Sequence, residues 1–168
     1  GLEHLDDVFD LTLYHLELMV ALGLDWAHLV GHFLGGMISA EMAATAPGCV
    51  GRLVLVAPAG LWRDDAPVAD FLAMNSAELE QHLWAGGQGP GGQGPGAQMP
   101  GAQMPTEADM EAAERAPELL LPERVQDLTA AGKFLWPIPD RGLKRRAYRI
   151  KAPTLILWGE QNRFAPPV

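Results

Sequence analysis

"LVGHFLGGMISAEMAA", Leu29 to Ala44, passes from an apolar run into a helix-forming run across one histidine, one phenylalanine and a leucine ahead of a glycine pair. The first part belongs to "AHLVGH", short and almost wholly apolar, which predicts a buried parallel strand. "LGGMISAEMAATAP" is rich in Ala and Met and stops at Pro47, which predicts a helix. A strand that becomes a helix within so few residues must turn sharply. The residue at the apex is then held in a strained backbone conformation at the helix N-terminus, and nearby glycines let backbone approach backbone without a Cβ clash. Gly31 and Gly35 are placed for that task, with Gly36 behind them, and the apex falls on Phe33. Helix dipole and free N–H groups face any negative charge that develops at such a point. It is where an attacking side chain would be sought, and a phenyl ring stands there.

Working outward, residues 4 to 22 place apolar groups at Leu5, Val8, Leu11 or Thr12, Leu16, Met19 and Leu22, the spacing of an amphipathic helix closed by Gly23. A second buried strand is predicted from Arg52 to Ala57, and a third in "PTLILWGE", Thr154 to Gly159. Strand, helix and strand with short links imply parallel pairing and a right-handed crossover. Between the second and third strands lie roughly 95 residues, against the roughly 30 of a whole βαβ unit, which predicts an inserted helical subdomain. Three helix starts are read in it: Asn75 with Glu78, Thr106 with Asp109, and Pro122 at N1. Residues 86–105, "GGQGPGGQGPGAQMPGAQMP", are two pentapeptides each written twice. Such a Gly/Pro-rich stretch cannot repay its ordering entropy and predicts a loop. The expected division is therefore a core of 1–60 with 149–168 and an inserted unit of 61–148.

Composition narrows the classes. With 168 residues, 48% hydrophobic, one ordinary core can be built. A net charge of −9 gives no basic face for phosphates, so no nucleic-acid partner is expected. Cys49 is the sole cysteine, and no intramolecular disulfide can form. No run approaches the roughly 18 apolar residues of a membrane span, so no membrane partner is expected either. "GLEHLDDVFD" opens directly in a helical pattern without signal-peptide features, which fits a chain beginning within a fold and a cytoplasmic setting. His4, His15, His28 and His82 show no metal-ligand spacing with Asp or Glu. Neither a metal nor a cofactor is expected, and composition does not reach the oligomeric state.

"HLVGHFLGGMISAEMAATAP", "VGRLVLVAPAGLW" and "RIKAPTLILWGEQNRFAPP" in this order resemble the α/β-hydrolase superfamily, most of all its capped bacterial members. The resemblance covers nearly the whole chain apart from the repeated loop. It implies a partial α/β-hydrolase fold, a parallel sheet with flanking helices and a helical cap insertion. It also implies hydrolysis of ester, lactone or C–C bonds by a Ser-His-Asp mechanism, with a small apolar ester-like ligand bound under the cap. In such proteins the elbow reads G-H-S-x-G-G, so the nucleophile position falls on Phe33. The acid position after the "WGE" strand falls on Asn162, and an oxyanion-hole N–H on Leu34. The family base is a His beyond a further strand, whereas the last histidine here is His82.

Each substitution removes a chemical step. Phe33 has no lone pair with which to form an acyl-enzyme. Asn162 carries no charge to stabilise an imidazolium, and the analogous change in a serine protease costs about 10⁴ in rate. Without a His there is no general base. The Leu34 N–H can still donate, since backbone donation is independent of the side chain. Ser39 falls within the helix and Ser76 at a helix start in the insertion, away from any strained turn, so both read as structural. Asp64 and Asp65 read as a solvated loop pair, His32 as a packed histidine and His28 as structural. Trp62, Trp84, Trp136 and Trp158 either line an apolar pocket under the cap or pack in the core. Two readings follow: a hydrolase fold kept without its chemistry, binding a ligand or partner, or a partial or damaged hydrolase.

Overall fold

The computed structural model describes residues 4–74, 78, 81–82, 129, 132–136 and 140–167. Within them the chain runs through helix α1 (Val8–Ala21), strand β1 (Ala27–His32), helix α2 (Leu34–Thr45), a 3₁₀ turn (Pro47–Cys49) and strand β2 (Val50–Val56). It resumes at helix α3 (Leu143–Arg146), a 3₁₀ turn (Ala147–Arg149) and strand β3 (Thr154–Leu157). The predicted helix starts at Asn75, Thr106 and Pro122, the 86–105 repeat, Ser76 and Trp84 lie outside the described residues.

α1 begins at Asp7, whose carboxylate accepts from the backbone N–H groups of Phe9 (2.7 Å) and Asp10 (2.9 Å), satisfying two donors that no helical carbonyl can reach. It ends before Gly23, whose φ of +69° is the left-handed turn that glycine takes without penalty. Of the positions the spacing marks, Val8, Leu11, Thr12 and Met19 are buried, Leu5 and Leu16 are half-buried and Leu22 at the helix end is exposed; the Thr12 hydroxyl is satisfied by the Val8 carbonyl at 2.7 Å.

The three strands form one parallel sheet in the order β1-β2-β3. In register, Leu29 lies beside Leu53 and Thr154, and Gly31 beside Leu55 and Ile156. Val30 lies beside Val54 and Leu155, and His32 beside Val56 and Leu157. Strand side chains alternate between faces, so these are two opposite surfaces. One is covered: Leu53 and Leu55 pack with Ala40 and Ala43 of α2, Val50 and Leu143, with Leu29, Leu61, Ile150 and Ala152 against the cluster. Small residues on α2 let helix and sheet approach closely.

The opposite surface explains a departure from the sequence reading. β1 and β3 are expected to be buried strands, yet Val30 is 73% exposed and all four residues of β3 are exposed. Among the described residues both are edge strands, and only the central β2 has neighbours on either side. The apolar row Val30, Leu155 and Leu157 is therefore open to solvent within the described residues. β2 also begins two residues before the expected Arg52 and stops at Val56, because Ala57 adopts φ +41° and leaves the strand. β3 stops at Leu157, two residues short of the expected Gly159.

One polar link joins α2 to α3. Glu41 is 2% exposed and receives both arms of the Arg146 guanidinium, Nε to Oε2 at 2.8 Å and Nη2 to Oε1 at 2.5 Å. Arg146 also donates Nη2 to the Arg141 carbonyl at 2.9 Å. The hydrogen bond to Glu41 holds the guanidinium above its usual pKa, with desolvation opposing and the charges of Glu41 and Asp140 assisting. A buried carboxylate gains little net stability from its partner but loses much without it.

By its contacts the chain divides into two compact units, Gly1–Asp70 with Lys133–Val168, and Phe71–Gly132. In the second, Phe71 is buried, and the His82 Nδ1 lies 2.8 Å from the Glu78 carbonyl oxygen one helical turn earlier.

Two outcomes follow for stability. Leu53→Ala, at a position 1% exposed, is expected to lose about 2–5 kcal/mol in denaturant titration, against less than about 1 kcal/mol for Val30→Ala, in a chain whose thermal midpoint lies below about 65 °C. Arg146→Met is expected to cost about 3–5 kcal/mol, while the double variant Glu41→Leu/Arg146→Met recovers most of that loss; equal costs for the single and the double would contradict a buried, uncompensated Glu41.

Candidate functional site

Phe33 connects β1 to α2 with φ +46° and ψ −109°, a backbone conformation that bulky side chains rarely adopt. Three hydrogen bonds hold it there. Its N–H donates to the Val56 carbonyl at 3.1 Å, and its carbonyl accepts from the N–H groups of Met37 and Ala59, each at 3.0 Å. The end of β2 thus braces the apex from outside the helix. Ala57, the other non-glycine residue at positive φ among those described, sits in the same brace and donates its N–H to the Leu157 carbonyl at 2.9 Å.

The glycines divide this work differently from their spacing. A Cβ on Gly31 would collide with the Gly35 carbonyl oxygen and stand 2.6 Å from the Gly36 nitrogen. One on Gly36 would stand 2.9 Å from the Pro58 Cβ and 3.1 Å from the Gly31 carbonyl oxygen. Around Gly35 there is open space. Gly31 and Gly36 are thus the sterically required pair, and Gly35 contributes its backbone to the close approach.

At the helix start, the Phe33 side chain makes no capping hydrogen bond. Leu34, at N1, carries one of the N–H groups for which α2 has no carbonyl of its own. The Phe33 ring meets the Phe164 ring edge-on at 6.3 Å and 75°, and the His32 ring at 6.5 Å. Phe164 lies in the loop after β3, so the ends of β1 and β3 come together across the end of β2. Ligands of open parallel sheets bind at this carboxyl end of the strands.

Asn162 shapes that same loop. Its Oδ1 accepts from the N–H groups of Phe164 and Ala165, both at 3.0 Å, and its own N–H donates to the Gly159 carbonyl. Trp158 closes the loop by donating Nε1 to the Ala165 carbonyl at 2.7 Å. With Oδ1 occupied twice, the carboxamide has only Nδ2 donors to offer elsewhere. A carboxylate there would have spare lone pairs for an imidazole N–H; an amide so engaged does not.

The other residues singled out from the sequence scatter. Ser39 is 8% exposed inside α2. Asp65 pairs with Arg63, and Asp64 accepts from the Trp62 indole at 2.9 Å, in an exposed turn. His32 is exposed rather than packed, because strand alternation places it opposite Gly31 on the uncovered face. His28 is exposed, stacked edge-on with Trp26 at 5.1 Å. Trp136 is 55% exposed, while Trp158 is spent on its loop. No pattern in the sequence announces Phe164 or Ala59 as partners of the apex, since each reaches it through the sheet and not through local spacing. Among the described residues no helix is long and apolar enough to cross a membrane.

A family model described as alpha/beta hydrolase fold matches residues 7–168. The chain is 30% identical over 155 residues to a 2-hydroxy-6-oxo-6-phenylhexa-2,4-dienoate hydrolase of Comamonas testosteroni, covering 89% of this chain and 51% of that protein. It is 26% identical over 149 residues to a 2-hydroxy-6-oxononadienedioate/2-hydroxy-6-oxononatrienedioate hydrolase of the same species, with the same coverage. The chain thus spans about half the length of the curated relatives it matches. Among solved structures, a candidate lipase from Acinetobacter baumannii superposes with a TM-score of 0.66 at 19% identity, over 99% of this chain and 55% of that one. A bacterial membrane phospholipase A superposes with a TM-score of 0.57 at 23% identity, over 99% and 51%. At these identities the two structures speak for the fold.

The steric division predicts opposite responses to one methyl group. Gly31→Ala is expected to lose more than about 3 kcal/mol or fail to fold, whereas Gly35→Ala is neutral or stabilising by up to about 1 kcal/mol, read by thermal and denaturant unfolding.

Proposed function

The chain belongs to the α/β-hydrolase fold family, and from that premise we propose that it presents the family's elbow without the family's nucleophile. The observation that carries this is Phe33, at φ +46° between β1 and α2, with its ring against Phe164 where an attacking oxygen would need room. A phenyl ring cannot add to a carbonyl, so no acyl-enzyme forms at the apex. Asn162 stands in for the family's acid, and the Leu34 N–H alone keeps a catalytic direction, as an oxyanion donor. The family's hydrolysis of ester, lactone or C–C bonds is in this reading not carried out by the chain as given. In the same reading residues 61–148 correspond to the family's helical cap insertion, and the setting is cytoplasmic.

A non-catalytic binding role is the second reading. The aromatic pair Phe33 and Phe164 favours it, because two rings meeting at the carboxyl end of the strands offer an apolar floor to a small ester-like ligand.

The expected outcome is no turnover of p-nitrophenyl acetate above buffer and no labelling by a serine-directed fluorophosphonate. Phe33→Ser/Asn162→Asp in this 168-residue chain is also expected to stay inactive, since its last histidine is His82. Hydrolysis by the unaltered chain, or stoichiometric labelling at Ser39, would overturn the reading.

A further inference from the structure

Charge is segregated along the larger unit. Before Arg52 the chain holds no Lys or Arg, and Asp6, Asp7, Glu17 and Asp25 stand exposed on or beside α1. From 141 to 151 there is no acid, and Lys144, Arg145, Arg149 and Lys151 stand exposed on or beside α3 and its 3₁₀ turn. Among the described residues, ion pairs join Arg63 to Asp65 and Arg146 to Glu41, and none of these exposed charges takes part in one.

The fold sets the two groups at opposite sides of one layer. α1 and α3 each pack on α2, with little contact between them. α1 leads the chain into β1, and the 3₁₀ turn after α3 leads it into β3, at the other edge of the sheet. The unit therefore has an acidic side edged by β1 and a basic side edged by β3. Both edges are open among the described residues, since β1 and β3 each pair with β2 alone. Neither strand contains Lys, Arg, Asp, Glu or Pro, the residues that ordinarily keep edges from joining. Val30 in β1 and Leu155, Ile156 and Leu157 in β3 are exposed apolar groups.

The signs of the charges decide between the ways of joining two copies. β1 against β1 sets an acidic helix beside its own equivalent, and β3 against β3 sets cations beside cations. β3 of one copy against β1 of the next opposes unlike charges and keeps every strand parallel. At physiological ionic strength charges act over about 8 Å, which reaches across a pair of adjoining elements. Like charges facing each other across an interface suppress the wrong pairing, and unlike charges set the register of the right one.

We propose that the chain assembles head to tail with second copies of itself, the β3 edge of one copy pairing with the β1 edge of the next and the cations of 144–151 facing the acids of α1. Such a joint is heterologous and leaves a free edge of each kind at the ends, so assembly continues past the dimer unless a ring closes. It does not rest on the reading of Phe33, and neither stands or falls with the other.

The test is sedimentation velocity on the 168-residue chain from about 5 to about 500 µM, in about 50 mM and about 500 mM sodium chloride. Dimers and larger species that grow with concentration are expected at low salt, receding to monomer at high salt. Glu17→Lys/Asp25→Lys and Arg145→Glu/Arg149→Glu, all at exposed positions, are each expected to weaken association at least about tenfold. The four changes in one chain are expected to restore it, because both sides have then changed sign. Val30→Lys, which places a charge on the β1 edge, is expected to weaken association with the charged groups intact. A monomer throughout the range overturns the proposal, as does association that salt does not weaken. So does association indifferent to either charge reversal, the mark of an isologous joint, or a quadruple variant that associates no better than its parents. The thermal midpoint of each variant reports its folding; should Val30→Lys not fold, the exposed charge reversals decide alone.

Discussion

A bulky residue at positive φ needs the surrounding structure to over-determine it, and Phe33 is fixed by three backbone hydrogen bonds that come from two elements. Val56 and Ala59 reach it from β2 and the segment after β2, and Met37 from α2. The bonds form only if β1 and β2 pair in the observed register, and that register is set by burial of Leu53 and Leu55 beneath Ala40 and Ala43. The strain at the apex is thus sustained by the core. All three bonds are made by backbone atoms, so the turn can be held with a ring at position 33.

Local chemistry made much of the fold legible. The Gly23 stop, the 3.6-residue spacing of α1 and the strand-turn-helix around Phe33 are short-range signals, and each identifies its element, although α1 begins at Val8, after the Asp7 cap, rather than at residue 4. Burial was less legible. An apolar run identifies a strand but not its neighbours, so β3 reads as buried although its position at the sheet edge leaves all four residues exposed. His32 misled for a related reason: its side of the sheet follows from alternation, but which side is covered follows from where α2 packs.

The site divides in the same way. Phe33, Leu34 and Asn162 could be singled out because their positions are defined by nearby residues. Phe164, Ala59 and Pro58 could not, because they meet the apex through strand pairing. Glu41 and Arg146 are further apart still, 105 positions in sequence, and a lone acid in an Ala-rich helix gives no hint of a partner. The glycines show a subtler limit. Spacing marks Gly31 and Gly35, whereas space marks Gly31 and Gly36, because the second constraint comes from Pro58 and not from the turn.

The contact division has the chain leave its larger unit at Asp70 and re-enter it at Lys133. β3 can pair with β2 only after the whole of Phe71–Gly132 has been added to the chain, so completing the sheet is a contact of long sequence separation, the kind that slows folding.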